Sequence, residues 1–578
     1  MKKERAVFVR KGIVTGAMIL GAVSGILFMK GADSAAKTVA VIGDTEYSSV
    51  TDAVEAAKDG DTISLQADAK GDVEVKDKSI TLDLNGHGLA GTAPVLTINN
   101  GHVVLEDSDP GQVTYYYIDK KGLAHVVDSE DDKDYQNAGS ENTGSFTGGY
   151  ITQDEEALQT RIRERKKMFG INGGGVSVTK GGAFEMKAGV IIGNHSYYSG
   201  GGVAVDYESE FSMEGGFIIA NKADFTGGGI YGEDLYDKEA TITITGGQIR
   251  DNISGDDGGG IANYGTMTLN GDVLITANES EGFGGGICNH GQMRIEGKTE
   301  ITENKASQGG GLSSTAEGSG KVFIGGETNI TGNVADNGGG IFNSDKMEIC
   351  EDVLIKGNEA KEIGGGIVAY RYGDLKICDR VKVEGNKSKN FGDGIFVIHK
   401  LTVYGSPAIS DKVDILGYTG MIEVTDTFTP AVPISVRIVD EEGAIHSGVF
   451  TKGLSGHGDV ATCFESADDK YPLIDENGEA RLKGDTDMER INFDAVYDDD
   501  DDDEDDEEDE DVEEAKETAE PAVADDSEKD KTTEEASTTG SNIGGGSTVL
   551  IGLGGGVVGI IVGIFIGFFI RRKKQVVD

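Results

Sequence analysis

The chain has 578 residues, of which 52 are basic and 102 acidic, and its formal net charge at pH 7 is −50. A polypeptide this acidic is repelled by phosphate backbones, which excludes nucleic-acid binding by charge neutralisation. The length allows either several domains or one extended repeat structure.

Residues 1–36 have the layout of a secretory signal peptide. A basic leader precedes the uncharged apolar segment 13–29, and mainly small residues follow it, so we expect cleavage near Ala36. The apolar segment has seventeen residues, close to the minimum for a membrane span, and an uncleaved anchor is the alternative. Either outcome predicts export of the chain that follows.

The region 111–172 interrupts the pattern of its surroundings, and we predict that it is an irregular insertion. Its segment 152–170 is rich in helix-forming residues, with acidic side chains first and basic ones last, the order that a helix dipole favours. We therefore expect a helical excursion from a coil that begins near residue 148.

Residues 173–403 contain a repeat with an average period of about 27 residues, within the range typical of solenoids. Each unit opens with three consecutive glycines and an aliphatic residue, except the last unit, which has the degenerate form GDGI. The first glycines of the nine units are Gly173, Gly200, Gly227, Gly258, Gly284, Gly309, Gly338, Gly364 and Gly392.

A second sequence feature repeats with the same period as the glycine triplets. It is an asparagine five or six residues before the next triplet, with Ile or Val three residues before that asparagine. In a stacked repeat these asparagines would form a buried ladder, in which the amides satisfy one another and nearby backbone groups. The ladder residues are Asn194, Asn221, Asn252, Asn278, Asn304, Asn333, Asn358 and Asn386.

Between these marks apolar and polar residues alternate, as in residues 267–278, which favours strands over helices. Short strands without crossover helices stack in parallel only by coiling, with turns roughly 4.8 Å apart. We therefore predict an all-β fold in which 173–403 is a right-handed parallel β-helix (solenoid). The glycines would form tight corners with no side chains to obstruct the neighbouring turns.

The turn after each triplet is the candidate ligand-binding edge. It carries aromatic and polar side chains that would stack on successive turns and suit a sugar or a partner protein. The alternative is that these side chains merely cover the backbone of the turns. The residues are Tyr207, Tyr231, Tyr264, Asn289, His290, Tyr370, Tyr372 and His399.

Residues 404–495 lack the glycine triplets, and their strand-like segments predict final coils and a β cap that closes the C-terminal end. Cys350 and Cys378 each stand eight residues before a ladder asparagine, which places them about 5 Å apart on successive turns. A disulfide and two stacked free thiols both remain open. The paired cysteine spacing of a zinc site is absent, and we predict no metal and no cofactor.

The last part of the chain predicts a membrane anchor. Residues 496–546 form an acidic disordered stalk, because 498–511 holds fourteen consecutive carboxylates. We predict that residues 547–570 form a transmembrane helix and that the basic segment 571–578 is a cytoplasmic tail. A glycine stripe would allow self-association of two anchors, although glycine is also simply common in membrane helices. The stripe consists of Gly555, Gly559, Gly563 and Gly567.

The pairing of GGGI with IxxN resembles the GGA[IVL] and FxxN repeats of the chlamydial polymorphic membrane proteins, a family of adhesins. The likeness covers residues 173–396, with Ile or Val in place of the family's Phe. Residues 47–89 are similar to the opening of pectin-lyase-like right-handed β-helix proteins. This resemblance implies an N-terminal cap and first coils in 37–110, with a short amphipathic helix near 49–58 as the cap.

Carbohydrate lyases and polygalacturonases of the pectin-lyase-like class act through clustered carboxylates on one outer face. The nearest matches here are Asp256, Asp257 and a GHG motif around His457, which lie some 200 residues apart where the polygalacturonase pattern has about one coil. The flanking motifs are missing, and a second GHG at 86–88 stands in the wrong order. The resemblance indicates a fold and no activity, and we predict no catalytic residue.

Together these features predict a bacterial cell-surface protein, single-pass in the cell membrane, with a large extracellular N-terminal region. We expect an adhesin whose partners are the membrane, through the C-terminal helix, and a host, glycan or protein ligand, and not nucleic acid. Two other classes remain open: an enzyme acting on acidic or mucin-type polysaccharides, and a passive surface spacer.

Overall fold

Three main strands per turn, each paired with its equivalents in the turns before and after, make the chain a parallel β-solenoid of about 14 turns. The predicted signal peptide, stalk, transmembrane helix and cytoplasmic tail, and most of the predicted helical excursion, lie outside the described residues. Within them the predicted parallel β-solenoid is confirmed. The computed structural model describes residues 37–92, 94–111, 113–127, 129–154, 172–235, 238–315, 320–484 and 487.

The strands that follow the glycine triplets, with their equivalents at both ends, stack as the first face of the solenoid. Their first and third residues point into the core and the middle residue points outward. The strands are Val73–Lys76, Leu96–Asn99, Val176–Thr179, Val203–Val205, Ile230–Gly232, Ile261–Asn263, Ile287–Asn289, Leu312–Ser314, Ile341–Asn343, Ile367–Ala369, Ile395–Val397, Val413–Leu416, Ile434–Val439 and Phe464–Ser466.

The second and third faces belong to one sheet, because Thr241–Arg250 and Thr266–Thr276 run through the corner between them. The other strands of the second face are Asp61–Leu65, Ser79–Asp83, His102–Glu106, Ala183–Met186, Glu210–Met213, Gln292–Glu296, Lys321–Ile324, Lys346–Ile349, Asp374–Ile377, Lys400–Gly405, Met421–Phe428 and Thr451–Lys452. Those of the third face are Ala69–Lys70, Gly88–Gly91, Tyr150–Gln153, Val190–Ile192, Phe217–Ile219, Thr299–Thr302, Asn329–Thr331, Leu354–Lys356, Lys382–Glu384 and Ala408–Ile409.

Short strands after the ladder asparagines form a fourth element, the corner ladder, between the third face and the next triplet. The strands are His195–Ser196, Lys222–Ala223, Ile253–Ser254, Glu279–Ser280, Val334–Asn337, Glu359–Ile363 and Lys387–Ser388. The residue before every ladder asparagine is left-handed, with φ between +51° and +69°, although four of the eight are not glycine. This conformation turns the chain sharply out of the third face.

The ladder asparagines are buried and joined to one another. The Oδ1 of Asn278 accepts hydrogen bonds of 3.0 Å from the backbone N–H and the amide of Asn252, while its own amide donates to the Ile249 carbonyl oxygen and to Asn304 Oδ1. The pattern repeats from Asn194 onward and ends where Asn386 donates to a carboxylate oxygen of Asp411. Each amide therefore satisfies backbone groups that solvent does not reach.

The glycine triplets let successive corners approach closely. A Cβ on Gly285 would lie 2.5 Å from the carbonyl oxygen of Lys305 and 2.6 Å from that of Gly310 in the next turn. A Cβ on Gly286 would lie 2.6 Å from the carbonyl oxygen of Gly311. The expectation that any side chain here would obstruct the next turn is confirmed.

One apolar cluster fills the interior from Ala40 to Leu482. At its N-terminal end Ser49 caps the helix Val50–Ala56, whose apolar side packs on the first coils. Strands Ala40–Ile42 and Thr45–Tyr47 pair antiparallel beside it. At the other end lie Ile445–His446, Thr451–Lys452, the helix Val460–Cys463 and an antiparallel sheet of Gly448–Val449, Leu473–Glu476 and Glu479–Leu482.

The insertion forms a small antiparallel sheet against the outer side of the third face. Tyr116 donates a hydrogen bond of 3.0 Å to Asp251, and Phe146 packs near Val190. The chain rejoins the third face at Tyr150, and residues 155–171 lie outside the described part. The elements of the insertion are Val113–Ile118, Ala124–Val127, the helix Lys133–Ala138, the 3₁₀ turn Ser140–Asn142 and Thr143–Thr147.

Cys350 and Cys378 form a disulfide between successive turns, with their Cα atoms 4.8 Å apart. Of the two arrangements that the sequence left open, the structure contains the covalent one. Within the described ranges, no helix combines the length and the apolar character needed to cross a bilayer.

Replacing Asn278 by Ala should destabilise the solenoid strongly. The variant leaves the Asn252 N–H and amide, the Ile249 carbonyl and Asn304 Oδ1 each without one partner. Buried groups without partners cost about 1–3 kcal/mol each, so we expect a loss of about 3–5 kcal/mol in urea unfolding. Asn270→Ala, at an exposed position, is the control, and an equally small effect of both variants would contradict the ladder.

Gly285→Ala and Gly357→Ala separate the two reasons for glycine in this fold. Gly357 has φ +64° with open space around its Cβ position, so alanine there strains only the backbone, by about 1–2 kcal/mol. At Gly285 the added Cβ meets two carbonyl oxygens of neighbouring backbone, and we expect a loss above roughly 3 kcal/mol. The thermal midpoint of Gly357→Ala should lie below that of wild type, and the midpoint of Gly285→Ala should lie lower still.

Candidate functional site

We call the outer surface of the first face the groove, because the segment before each triplet and the turn after each strand border it. In the strands that follow the nine triplets the middle residue points outward and is buried, except for Tyr231, which is partly accessible. Over Cys288 the two flanks meet: Asp257 Oδ2, from the segment before a triplet, lies 3.4 Å from His290 Nε2, in the turn after the next strand. The groove is therefore bridged at this turn.

Three of the predicted edge residues form one stack over successive turns. The rings of Tyr231 and Tyr264 meet edge to face at 5.7 Å, and those of Tyr264 and His290 lie parallel at 4.3 Å. All three are partly accessible. We call Tyr231, Tyr264 and His290 the aromatic stack.

The other predicted edge residues lie apart from the aromatic stack. Tyr370 packs against Phe342 at 5.1 Å, on turns further along the solenoid. Tyr372 is 48% exposed in a left-handed turn, and Tyr207 and His399 are partly accessible in their own turns. The edge that the sequence predicts as continuous is thus divided into separate groups.

The prediction that Asn289 lies on the outward edge is wrong, because its side chain is fully buried and faces the interior. Its Oδ1 accepts a hydrogen bond of 2.7 Å from the Asn263 amide, and its own amide donates to Ser314 Oγ. It belongs to a second, shorter polar ladder at the end of the first face. Strand alternation explains the difference, since the third residue of these strands points inward.

Carboxylates flank the aromatic stack. Partial burial, and then the charges of Asp206 and Asp234, raise the pKa of Glu233 to about 7, and partial burial raises the pKa of Asp206 to about 6. On the other flank, desolvation and the adjacent Asp257 raise the pKa of Asp256 to about 6. Near neutral pH the groove therefore offers protonated and ionised carboxyl groups together.

The tyrosine hydroxyls of the stack stay protonated. Burial raises the pKa of both tyrosines far above the ordinary value. The next largest cause is the charge of Glu233 for the pKa of Tyr231, and Cys288 followed by Asp257 for the pKa of Tyr264. Each hydroxyl is thus a permanent hydrogen-bond donor beside carboxylate acceptors, an arrangement that suits a hydroxyl-rich ligand.

Sequence reasoning missed Asp206, Glu233 and Thr315, although a signal for them exists. Each stands six residues after the first glycine of its triplet, as do Tyr264 and His290. The backbone N–H of each bonds to the preceding turn, so the five form one row along the rim. Alignment of the units on their triplets would have shown this row.

His290 has three close polar neighbours. Its Nε2 lies 3.3 Å from Cys288 Sγ and 3.4 Å from Asp257 Oδ2, and its Nδ1 lies 3.2 Å from Thr315 Oγ1. Cys288 is fully buried, whereas the side chains of His290 and Asp257 are 22% and 12% exposed. A polar cluster thus forms the bridge across the groove.

The aspartate pair and His457 are not brought together. Asp256 and Asp257 precede the strand Ile261–Asn263, whereas His457 bonds to Phe428, at least six turns later. Six turns span roughly 30 Å of the solenoid axis. The described residues therefore do not assemble the polygalacturonase arrangement from these groups.

Comparison with known proteins found no match to this chain among family models, curated proteins or solved structures.

Replacing Glu233 by Gln should stabilise the protein at alkaline pH. The folded state holds the Glu233 carboxyl neutral up to about pH 7, while the unfolded chain ionises near its ordinary pKa of 4.5. Folding stability is therefore lost as pH rises from 4.5 to 7, and the variant avoids that loss. Its thermal midpoint should equal that of wild type at pH 4 and exceed it at pH 8.

The exposed Glu327→Gln is the matched control and should show no such pH dependence. An E233Q midpoint that tracks wild type from pH 4 to pH 8 would show that Glu233 is well solvated.

Proposed function

We propose that the protein is a membrane-anchored surface β-solenoid that binds a glycan, and that it acts as an adhesin rather than as an enzyme. The observation that carries this proposal is the aromatic stack of Tyr231, Tyr264 and His290 with its flanking carboxylates. Ring edges, hydroxyl donors and carboxylate acceptors lie close together at partly accessible positions along the groove, as polyhydroxylated ligands require. A protein ligand of similar polarity is the alternative occupant.

The proposed location rests on the sequence. The leader in 1–36 would direct export, and the apolar segment 547–570 with the basic tail 571–578 would hold the chain in the membrane. Between them the acidic segment 496–546 would separate the solenoid from the bilayer. The expected location is a bacterial cell surface, with anchor pairing through the glycine stripe as a further expectation.

The repeat itself favours binding over chemistry. Stacked turns present equivalent positions at regular intervals along the groove, and the rim row extends from Asp206 to beyond His290. A chain-like ligand can contact several turns at once, so that several weak contacts together raise its affinity.

Hydrolysis is the second candidate, and one observation favours it. Asp256, with a pKa of about 6, stands next to Asp257, and Glu233 has a pKa of about 7. Glycosidases use one protonated and one ionised carboxyl group on opposite sides of the scissile bond. The same groups therefore define the enzyme alternative.

Tyr264→Ala should reduce glycan binding about tenfold or more. A central aromatic side chain of a binding surface contributes about 1–2 kcal/mol, and 1.4 kcal/mol corresponds to a tenfold change. The measurement is binding of the full-length protein, solubilised in detergent, to a glycan array, followed by titration of the best glycan. Tyr372→Ala is the matched control, because this tyrosine is exposed and lies outside the aromatic stack.

The contrary outcomes are distinct. Equal binding by wild type, Tyr264→Ala and Tyr372→Ala would place the ligand elsewhere, and no glycan or protein bound by wild type would favour the passive spacer. Sugar release from a polysaccharide panel that is lost in Asp256→Asn or Glu233→Gln would identify an enzyme. Thermal midpoints near wild type are required of each variant before its binding is compared.

A further inference from the structure

The bridge across the groove brings three different metal-ligand types together. The Nε2 of His290, the Sγ of Cys288 and a carboxylate oxygen of Asp257 all lie within 4.8 Å of one another. They come from two successive turns: Asp257 precedes one triplet, and Cys288 and His290 follow the next. We propose that these residues bind a divalent transition metal ion of the zinc class.

Two of the three donor-atom separations fit one shared ion. Metal–ligand bonds of about 2.0–2.3 Å in tetrahedral geometry separate neighbouring donor atoms by roughly 3.3–3.5 Å. The observed separations are 3.3 Å from His290 Nε2 to Cys288 Sγ and 3.4 Å from the same nitrogen to Asp257 Oδ2. The third separation, from Cys288 Sγ to the Asp257 carboxylate oxygen, is within 4.8 Å.

The direction of the contacts argues against a hydrogen-bonded catalytic triad. In a triad the base uses one ring nitrogen for the nucleophile and the other for the carboxylate. Here Cys288 and Asp257 both face Nε2, while Nδ1 faces Thr315. Convergence of a thiol and a carboxylate on one nitrogen is what a shared ion would require.

Surrounding groups orient the ligands. Thr315 Oγ1, 3.2 Å from His290 Nδ1, can accept the Nδ1–H and so leave the Nε2 lone pair free for a metal. The other carboxylate oxygen of Asp257 accepts the backbone N–H of Phe283 at 3.0 Å. The ring of Tyr264 lies flat on the imidazole at 4.3 Å. Both exposed ligands are thus held in place before any ion arrives.

The donor set also selects the ion. A thiolate with an imidazole and one carboxylate suits zinc-like ions, whereas calcium and magnesium prefer oxygen ligands only. Three protein ligands leave a fourth tetrahedral position on the groove side, where His290 and Asp257 are partly exposed. That position can take water or a donor atom of a bound molecule. The proposal does not rest on the identity of the glycan.

The alternative without a metal is a hydrogen-bonded cluster of His290, Asp257 and Cys288. The two arrangements differ in a direct measurement. The full-length protein is stripped with a chelator under anaerobic conditions without added thiol, so that the Cys350–Cys378 disulfide stays intact. It is then titrated with Co²⁺ and the near-ultraviolet absorption is recorded. Thiolate–cobalt charge transfer appears only if a cysteine is a ligand, which separates this site from weak binding by the acidic segment.

We expect one equivalent of Co²⁺ to give the band and one equivalent of Zn²⁺ to abolish it. Cys288→Ser should remove the band, and Cys463→Ser should keep it, because Cys463 is a buried thiol near the C-terminal end of the solenoid. Thr315→Val should weaken the affinity about 10–100-fold by releasing the imidazole.

Absence of the band in wild type, or its survival in Cys288→Ser, would overturn the proposal. If Cys288→Ser fails to fold, His290→Gln is used in its place, and the same outcomes apply. A band lost in Cys463→Ser instead would assign the ion to the C-terminal end and equally refute the site.

Discussion

Stacking in register is the constraint on which the whole molecule depends, and the buried asparagines enforce it. An amide that must donate to one turn and accept from the other tolerates no slip between turns, because slippage would leave polar groups unsatisfied in the interior. Apolar alternation excludes a slip of one residue, which would turn every side chain to the other face, but it does not exclude a slip of two. The glycines contribute the complementary condition, which is room for the backbones to meet at the corner.

Stacking in register fixes which surface positions are neighbours along the solenoid axis, whereas the identity of the residue at each position can vary. Positions one turn apart become neighbours, so the residues six places after the first glycine of each triplet form a row whatever their identity. Selection can then change one side chain per turn without disturbing the core. The hairpin Asp234–Leu235 with Lys238–Glu239 lengthens one turn beside Tyr231 and leaves the strands on either side in step. The first face therefore acts as a scaffold and its rim as the variable part.

The sequence predicted the elements that repeat and missed those that do not. Glycine triplets and ladder asparagines recur at constant offsets, so their positions and roles follow from periodicity and the chemistry of glycine and amides. The corner ladder was missed, because five of its seven strands have only two residues and are too short to show an alternating pattern. Asn289 was misplaced, since its inward direction depends on where the strand begins, and a shift of one residue reverses it.

The contacts of the candidate site could be identified only from the structure, for a different reason. Asp257 and His290 stand 33 positions apart in the chain and on opposite flanks of the groove. Their contact depends on how far each flank rises above the first face, which loop geometry determines and residue spacing does not encode. Asp206, Glu233 and Thr315 could have been found by alignment of the units. The contacts that these residues make could not have been found in this way.

The bridge at His290 divides the groove into two parts with different chemistry. Before it, the rim and floor carry Asp206, Glu233 and the tyrosines of the aromatic stack. Beyond it, Phe342 and Phe396 are middle residues of their strands, and Phe396 joins an apolar cluster with Leu416 and Val439. A polar ligand lying along the first part would end at the bridge, because further extension would place its hydroxyl groups against apolar side chains without partners. If the proposed function holds, the bridge would thus limit the length of a polar ligand in the groove.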